Sequence, residues 1–229
     1  MAIANKDDVV CIVDVRTLKI VQKHAYRYQV NEICFLTLPA AKTTQHPSLL
    51  PPTTTATTRT PLTNENNNIN NISSSSSSSE VVLLQCNEQG ETELRKYPDM
   101  QRYRPSLRGH VGSVLSVAVD PHQKYIATGG IDSIVSVWSA GDGCCLRTHY
   151  HMDYPIRTLA FSYDSTYLAM AGEDNFVYVE NVKTGKSLGG VPLRIYPETC
   201  AWHPKSHVLA YPVEAGYESF IAFSRRSEP

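Results

Sequence analysis

Val114-Leu115-Ser116-Val117-Ala118-Val119-Asp120 decides how this sequence is read, because it returns as Arg157-Thr158-Leu159-Ala160-Phe161-Ser162 and again as Thr199-Cys200-Ala201-Trp202-His203. The spacing is about 42 residues, and each copy is a short apolar run closed by a polar turn. Asp132 and Asp174, also 42 apart, fall in the next turn of their own copies. Runs this short, rich in β-branched and aromatic residues, suit strands, and a period of this length suits stacked antiparallel β-sheets rather than helical arrays.

Working outward, residues 109–150 form the fullest copy. Gly109-His110, Thr128, Asp132 and Trp138 sit where a hydrogen-bonded His, Ser/Thr, Asp and Trp network ties a repeat's loops to its strands. Each link of such a buried chain contributes on the order of 1 kcal/mol. Elsewhere the Asp-to-aromatic spacing of six is degraded, with Asp7 leading to Val13-Asp14 and Asp174 to Glu180-Asn181. Those repeats are expected to rely more on packing. The pattern predicts an all-β WD40 β-propeller, with residues 153–193 as the next repeat and 197–229 as an incomplete last one.

Toward the N-terminus, residues 1–38 read as a partial blade of three strands plus the first strand of the next. Residues 39–79 are dominated by Thr, Ser, Asn and Pro, with only Lys42, Arg59 and Glu65 charged. Such a stretch buries too little apolar surface to offset its ordering entropy, which predicts a disordered insertion within one blade, the remaining blades occupying 80–229. From Ile33 to Leu115 is 82 residues, and removing the insertion leaves one period. About four and a half blades result, whereas propellers close with four to eight. The unpaired edges and apolar faces at the two ends predict a C-terminal part of a seven-bladed propeller.

Composition excludes several classes. Lys+Arg number 21 against 22 Asp+Glu, for a formal charge of −1, so no general field for nucleic acid exists. No run of 18 apolar residues occurs and the N-terminus turns acidic at once, pointing to a soluble intracellular protein without a membrane contact. Six scattered cysteines lack metal-ligand spacing and read as reduced, packed thiols. No nucleophile–base motif or phosphate loop appears, so neither cofactor nor metal is expected.

Asn5-Lys6-Asp7-Asp8-Val9-Val10, Val30-Asn31-Glu32-Ile33, Asp153-Tyr154-Pro155-Ile156-Arg157-Thr158-Leu159-Ala160-Phe161-Ser162, Glu173-Asp174-Asn175-Phe176 and Ala201-Trp202-His203-Pro204 occur in an order and spacing that resembles the WD40 subunit of the THO complex, the THO complex subunit 3 family. That resemblance implies a nuclear, non-catalytic scaffold in a THO/TREX-like assembly coupling transcription to mRNA processing and export. It also implies docking on a helical scaffold subunit, with RNA met indirectly through the complex.

Candidate contacts follow from position. Tyr154, Arg157, Glu173 and Asn175 lie near strand starts and tight turns, where partners dock. Arg95, Lys96, Arg102, Arg104 and Arg108, interleaved with Tyr97 and Tyr103, form the densest basic stretch and suit phosphates and stacked bases, against the plainer reading of an exposed strand face diluted by Glu91, Glu93 and Asp99. Val13-Asp14-Val15-Arg16 half-matches a Trp-Asp-x-Arg box, leaving a substrate receptor of a cullin-type ubiquitin ligase as the alternative and a propeller hydrolase as a distant third.

Overall fold

The computed structural model describes residues 1–4, 8–39, 79–194 and 196–212. Contacts divide the chain into one unit of Met1–Leu38 with Glu80–Pro229 and a second, Pro39–Ser79, that falls almost wholly outside the described residues. The expected disordered insertion therefore lies outside them, as does the incomplete last repeat beyond residue 212.

Every regular element among the described residues is a strand. Blade 1 is β1 (Ala2–Ala4), β2 (Val9–Asp14) and β3 (Lys19–Ala25), and blade 2 is β4 (Val30–Pro39), β5 (Ser79–Asn87), β6 (Glu91–Lys96) and β7 (Gln101–Arg108). Blade 3 is β8 (Val114–Val119), β9 (Tyr125–Gly130), β10 (Val135–Ser139) and β11 (Cys145–His149). Blade 4 is β12 (Ile156–Phe161), β13 (Tyr167–Gly172), β14 (Phe176–Asn181) and β15 (Ser187–Pro192), and blade 5 is β16 (Ala201–Trp202) with β17 (Leu209–Ala210). Strands follow one another within each sheet, so the four-strand unit is a meander of antiparallel neighbours.

Alternation along the strands holds the blades face to face. Because side chains point to opposite sides with period two, one strand serves two interfaces. On β5, Val82, Leu84 and Cys86 join the core shared with blade 3, while Leu83 joins the core shared with blade 1. On β13, Leu168 and Met170 pack toward blade 3, and Tyr167, Ala169 and Ala171 pack toward blade 5. Central strands are thus buried on both faces; β13 has no exposed residue, whereas outer β15 is mostly exposed.

Glycine permits the closest approaches. A Cβ on Gly172 would stand 2.0 Å from the Pro155 carbonyl oxygen, where the Glu173 amide donates to that same oxygen at 3.0 Å. Gly185, with φ of 67°, closes the β14–β15 hairpin in the left-handed region.

β4 runs to Pro39, with Leu36 and Leu38 buried in the blade 2–blade 3 core. One expectation needs correction. Cys144 and Cys145 are exposed, not packed, because they sit where the β10–β11 turn enters an outer strand; all six cysteines are free thiols.

Candidate functional site

Antiparallel order fixes which loops share an end. Links between blades and the turns joining each blade's second and third strands lie at one end; the other turns lie at the opposite end. The first end carries residues 109–113, 131–134, 150–155 and 173–175, and with them His110, Asp132, Tyr154, Glu173 and Asn175.

Its anchor is the blade 3 network. His110 Nδ1 lies 3.1 Å from Asp132 Oδ1, and His110 Nε2 lies 2.8 Å from Thr128 Oγ1, which also accepts from Trp138 Nε1 at 2.9 Å. A carboxylate only accepts, so His110 carries its proton on Nδ1 and its Nε2 accepts from the threonine hydroxyl. Asp132 further accepts the amides of Val111 at 2.9 Å and Ile134 at 3.2 Å. The imidazole is thus held at both nitrogens within the loop-to-strand network.

Blade 4, expected to rely more on packing, carries a buried polar pair of its own. Glu180 stands 42 residues after Trp138, 1% exposed, and its Oε2 meets Nδ1 of His149, which is 5% exposed. His151 lies 3.9 Å from the other carboxylate oxygen. An acid replaces the indole, and the preceding outer strand supplies the imidazole. No period-42 offset from His110 leads to His149, so the spacing hid it.

Tyr154 and Asn175 are exposed at this end. Arg157 and Glu173 are brought together as an ion pair across β12 and β13, with Nε donating to Oε1 at 2.9 Å. At the margin between blades 1 and 2, Gln85 and Glu93 are buried cross-strand neighbours and Arg95 Nε donates to Glu93 Oε2 at 2.9 Å. Burial, reinforced by Glu93, holds the Tyr28 phenol well above its ordinary range.

The basic stretch is largely balanced. Arg95 pairs with Glu93 and Lys96 with Glu80, both at 2.5 Å, and Arg108 pairs with Glu91 at 2.7 Å. Arg104 lies 4.9 Å from the centre of its neighbour Tyr103's ring, and Arg102 is exposed opposite Arg95. Five cations thus do not converge on one phosphate-sized site. Asp14 of the half-matched box ends β2 and Arg16 lies in the β2–β3 turn, its amide donating to Asp14 at 2.9 Å, beside a cleft of about 610 Å³ lined also by Met1, Ile12, Phe35 and Tyr97.

The opposite end holds a second set of links that sequence reasoning missed. Ser165 Oγ donates to Asp120 Oδ2 at 2.5 Å, joining blades 4 and 3, and His207 Nε2 lies 3.1 Å from Asp164 Oδ2, joining blades 5 and 4. Burial opposes the charge on Asp164, yet hydrogen bonds from Ser162, Thr166 and His207 outweigh it and hold the carboxyl well below the usual range. His207 also packs among Tyr163, Tyr167 and Trp202, at centroid distances of 5.1, 5.0 and 6.4 Å. Among the described residues, no cluster of three or more His, Cys, Asp or Glu side chains is arranged to hold a metal, and no helix is long and apolar enough to cross a membrane.

This geometry agrees with the comparisons. The family model described as "WD domain, G-beta repeat" matches residues 101–139 and 143–179, which cover the network of blade 3 and run into blade 4. The fold is that of a WD40 β-propeller, two of whose repeats the family model matches. Over 92% of its length the chain is 29% identical to THO complex subunit 3 of Arabidopsis thaliana, covering 54% of that relative. It is also 33% identical to WD repeat-containing protein AAC3 of Dictyostelium discoideum, over 36% of the chain and 18% of that relative. A chain in the crystal structure of a mitotic checkpoint complex superposes with a TM-score of 0.66 at 16% identity, covering 94% of this chain and 54% of that one, which speaks to the propeller fold alone. The chain thus spans about half the length of THO complex subunit 3 of Arabidopsis thaliana.

Proposed function

We propose that this WD40 protein is a non-catalytic scaffold subunit of a THO-like complex, acting in the nucleus where transcription is coupled to mRNA processing and export. The observation that carries the reading is similarity to THO complex subunit 3 across 92% of the chain, through every described blade. Rigid blades with loops gathered at two ends suit such a role, since a stiff sheet presents docking loops at low ordering cost. Both nitrogens of His110 are engaged, by Asp132 and Thr128, and His149 is 5% exposed, so neither presents an open nitrogen to a substrate. Protein subunits, including a helical scaffold, are the direct partners, and RNA is reached through them.

The test is affinity purification of the tagged chain from nuclear extract with quantitative mass spectrometry. Recovery of the other THO subunits in fixed proportion is expected. Their absence from a well-expressed, nuclear bait overturns the reading.

A further inference from the structure

The loop end carrying the His110 network also carries the larger exposed apolar side chains of blades 3 and 4. Val111 is 86% exposed, Ile131 51%, Tyr150 75% and Tyr154 54%. Val111 and Ile131 are set on well-held backbone. The Ile131 amide donates to the Ser113 carbonyl at 2.9 Å, a Cβ on Gly112 would meet Ile131 Cγ2 at 2.9 Å, and Asp132 holds the Val111 amide. Exposed tyrosines and aliphatics on fixed loops are the composition of a protein-docking patch, because little ordering entropy is lost when they are covered.

Charge identifies the occupant. From the turn of blade 2 at Glu88 across blades 3 and 4, the loops of this end carry Glu88, Asp132, Asp153, Glu173 and Asp174, and no lysine. The guanidiniums here, apart from the Arg108–Glu91 pair, are Arg157, bound to Glu173, and Arg194, which follows the Leu193 amide that donates to Asn175, so carboxylates outnumber cations at this end. Arg27 lies a blade away. At the opposite end Asp99, Asp120, Asp142 and Asp164 are matched by Lys124, Lys183, Lys186 and Lys205 on its loops. The first end is therefore acidic and the opposite end balanced, although the whole chain is nearly neutral.

We infer that the end formed by residues 109–113, 131–134, 150–155 and 173–175 docks a protein segment that alternates arginine or lysine with aliphatic residues. The aliphatics cover Val111, Ile131, Tyr150 and Tyr154, and the cations meet Asp153 and Asp174. The same field repels a nucleic-acid backbone, which makes this a protein site and not an RNA site. The inference rests on the scaffold reading above and names the partner chemistry of its loops.

Fluorescence anisotropy with three labelled probes tests it: a set of 12-residue peptides interleaving arginine with leucine or valine, the same set with glutamate for arginine, and a 20-nucleotide oligouridine. The chain is expected to bind members of the arginine set and neither of the others. Asp153→Lys with Asp174→Lys should weaken that binding at least ten-fold, Tyr154→Ala should weaken it several-fold, and Lys183→Glu with Lys186→Glu should leave it unchanged, with circular dichroism verifying that all remain folded. Failure of every arginine peptide to bind, indifference to the first pair of substitutions, or preference for oligouridine each overturns it. Co-purification of THO subunits by the Asp153→Lys, Asp174→Lys protein separates the two readings, since full retention rejects this patch while leaving the scaffold assignment standing.

Discussion

Replacing Thr128 with Val keeps the shape of a side chain that is 1% exposed and removes one oxygen that serves two buried neighbours. Oγ1 accepts from Trp138 Nε1 at 2.9 Å and donates to His110 Nε2 at 2.8 Å, so both nitrogens lose their partner at once. Leaving a buried polar group unpaired costs about 1–3 kcal/mol, and the pair of losses comes to about 2–6 kcal/mol. That is a large part of the roughly 5–15 kcal/mol that holds a typical domain folded. Urea unfolding followed by tryptophan fluorescence and far-ultraviolet dichroism measures it, with an unchanged m-value expected. Trp138→Phe alone should cost less than Thr128→Val. Because the first substitution already removes the indole donor, the double variant should fall short of the sum of the singles by about 1 kcal/mol. A loss below about 0.5 kcal/mol for Thr128→Val, or strict additivity, refutes the view that this network is a coupled buried unit.

Gly172→Ala should destabilise by more than about 2 kcal/mol, since its Cβ meets a backbone carbonyl that cannot swing aside, whereas Gly141→Ala, with open surroundings, should fall within about 0.5 kcal/mol in the same urea titration. Glu180→Leu strands the buried His149 imidazole and should cost about 2–4 kcal/mol, with much of the loss recovered on adding His149→Phe. Asp164 has its carboxyl depressed by its hydrogen bonds, so its contribution is present above the ordinary carboxylate range and lost as pH falls toward the folded value; Asp164→Asn should therefore flatten the decline of thermal midpoint below about pH 4. Thiol titration with a maleimide should modify Cys144 and Cys145 first, while burial raises the thiols of Cys86 and of Cys200, the latter pushed up to about 12, and keeps both inert until unfolding.

Periodicity revealed the sheets because a blade's apolar strands must recur for its faces to be covered, and Val114–Val119, Ile156–Phe161 and Ala201–Trp202 keep that rhythm. Network positions in blade 3 were legible for the same reason: four side chains with fixed chemistry at fixed offsets. Blade 4 was not, since Glu180 is an ordinary surface residue in a sequence and gains meaning only from His149, which the fold delivers from β11. The run Gln85 to Arg95 likewise reads as solvated polarity, yet alternation on β5 and β6 sends Gln85 and Glu93 into the seam with blade 1. The charge difference between the two ends depends on which turns share an end, and that is a property of strand order, invisible to composition.

Amide hydrogen exchange resolved by strand tests the stacked-blade architecture most directly. Residues of β9 and β13, buried on both faces, should exchange slowest, and those of β11 and β15 at the outer edges should exchange fastest within their own sheets. Protection concentrated in Cys145–His149 or Ser187–Pro192, or uniformly fast exchange throughout, would contradict face-to-face packing of four-stranded blades.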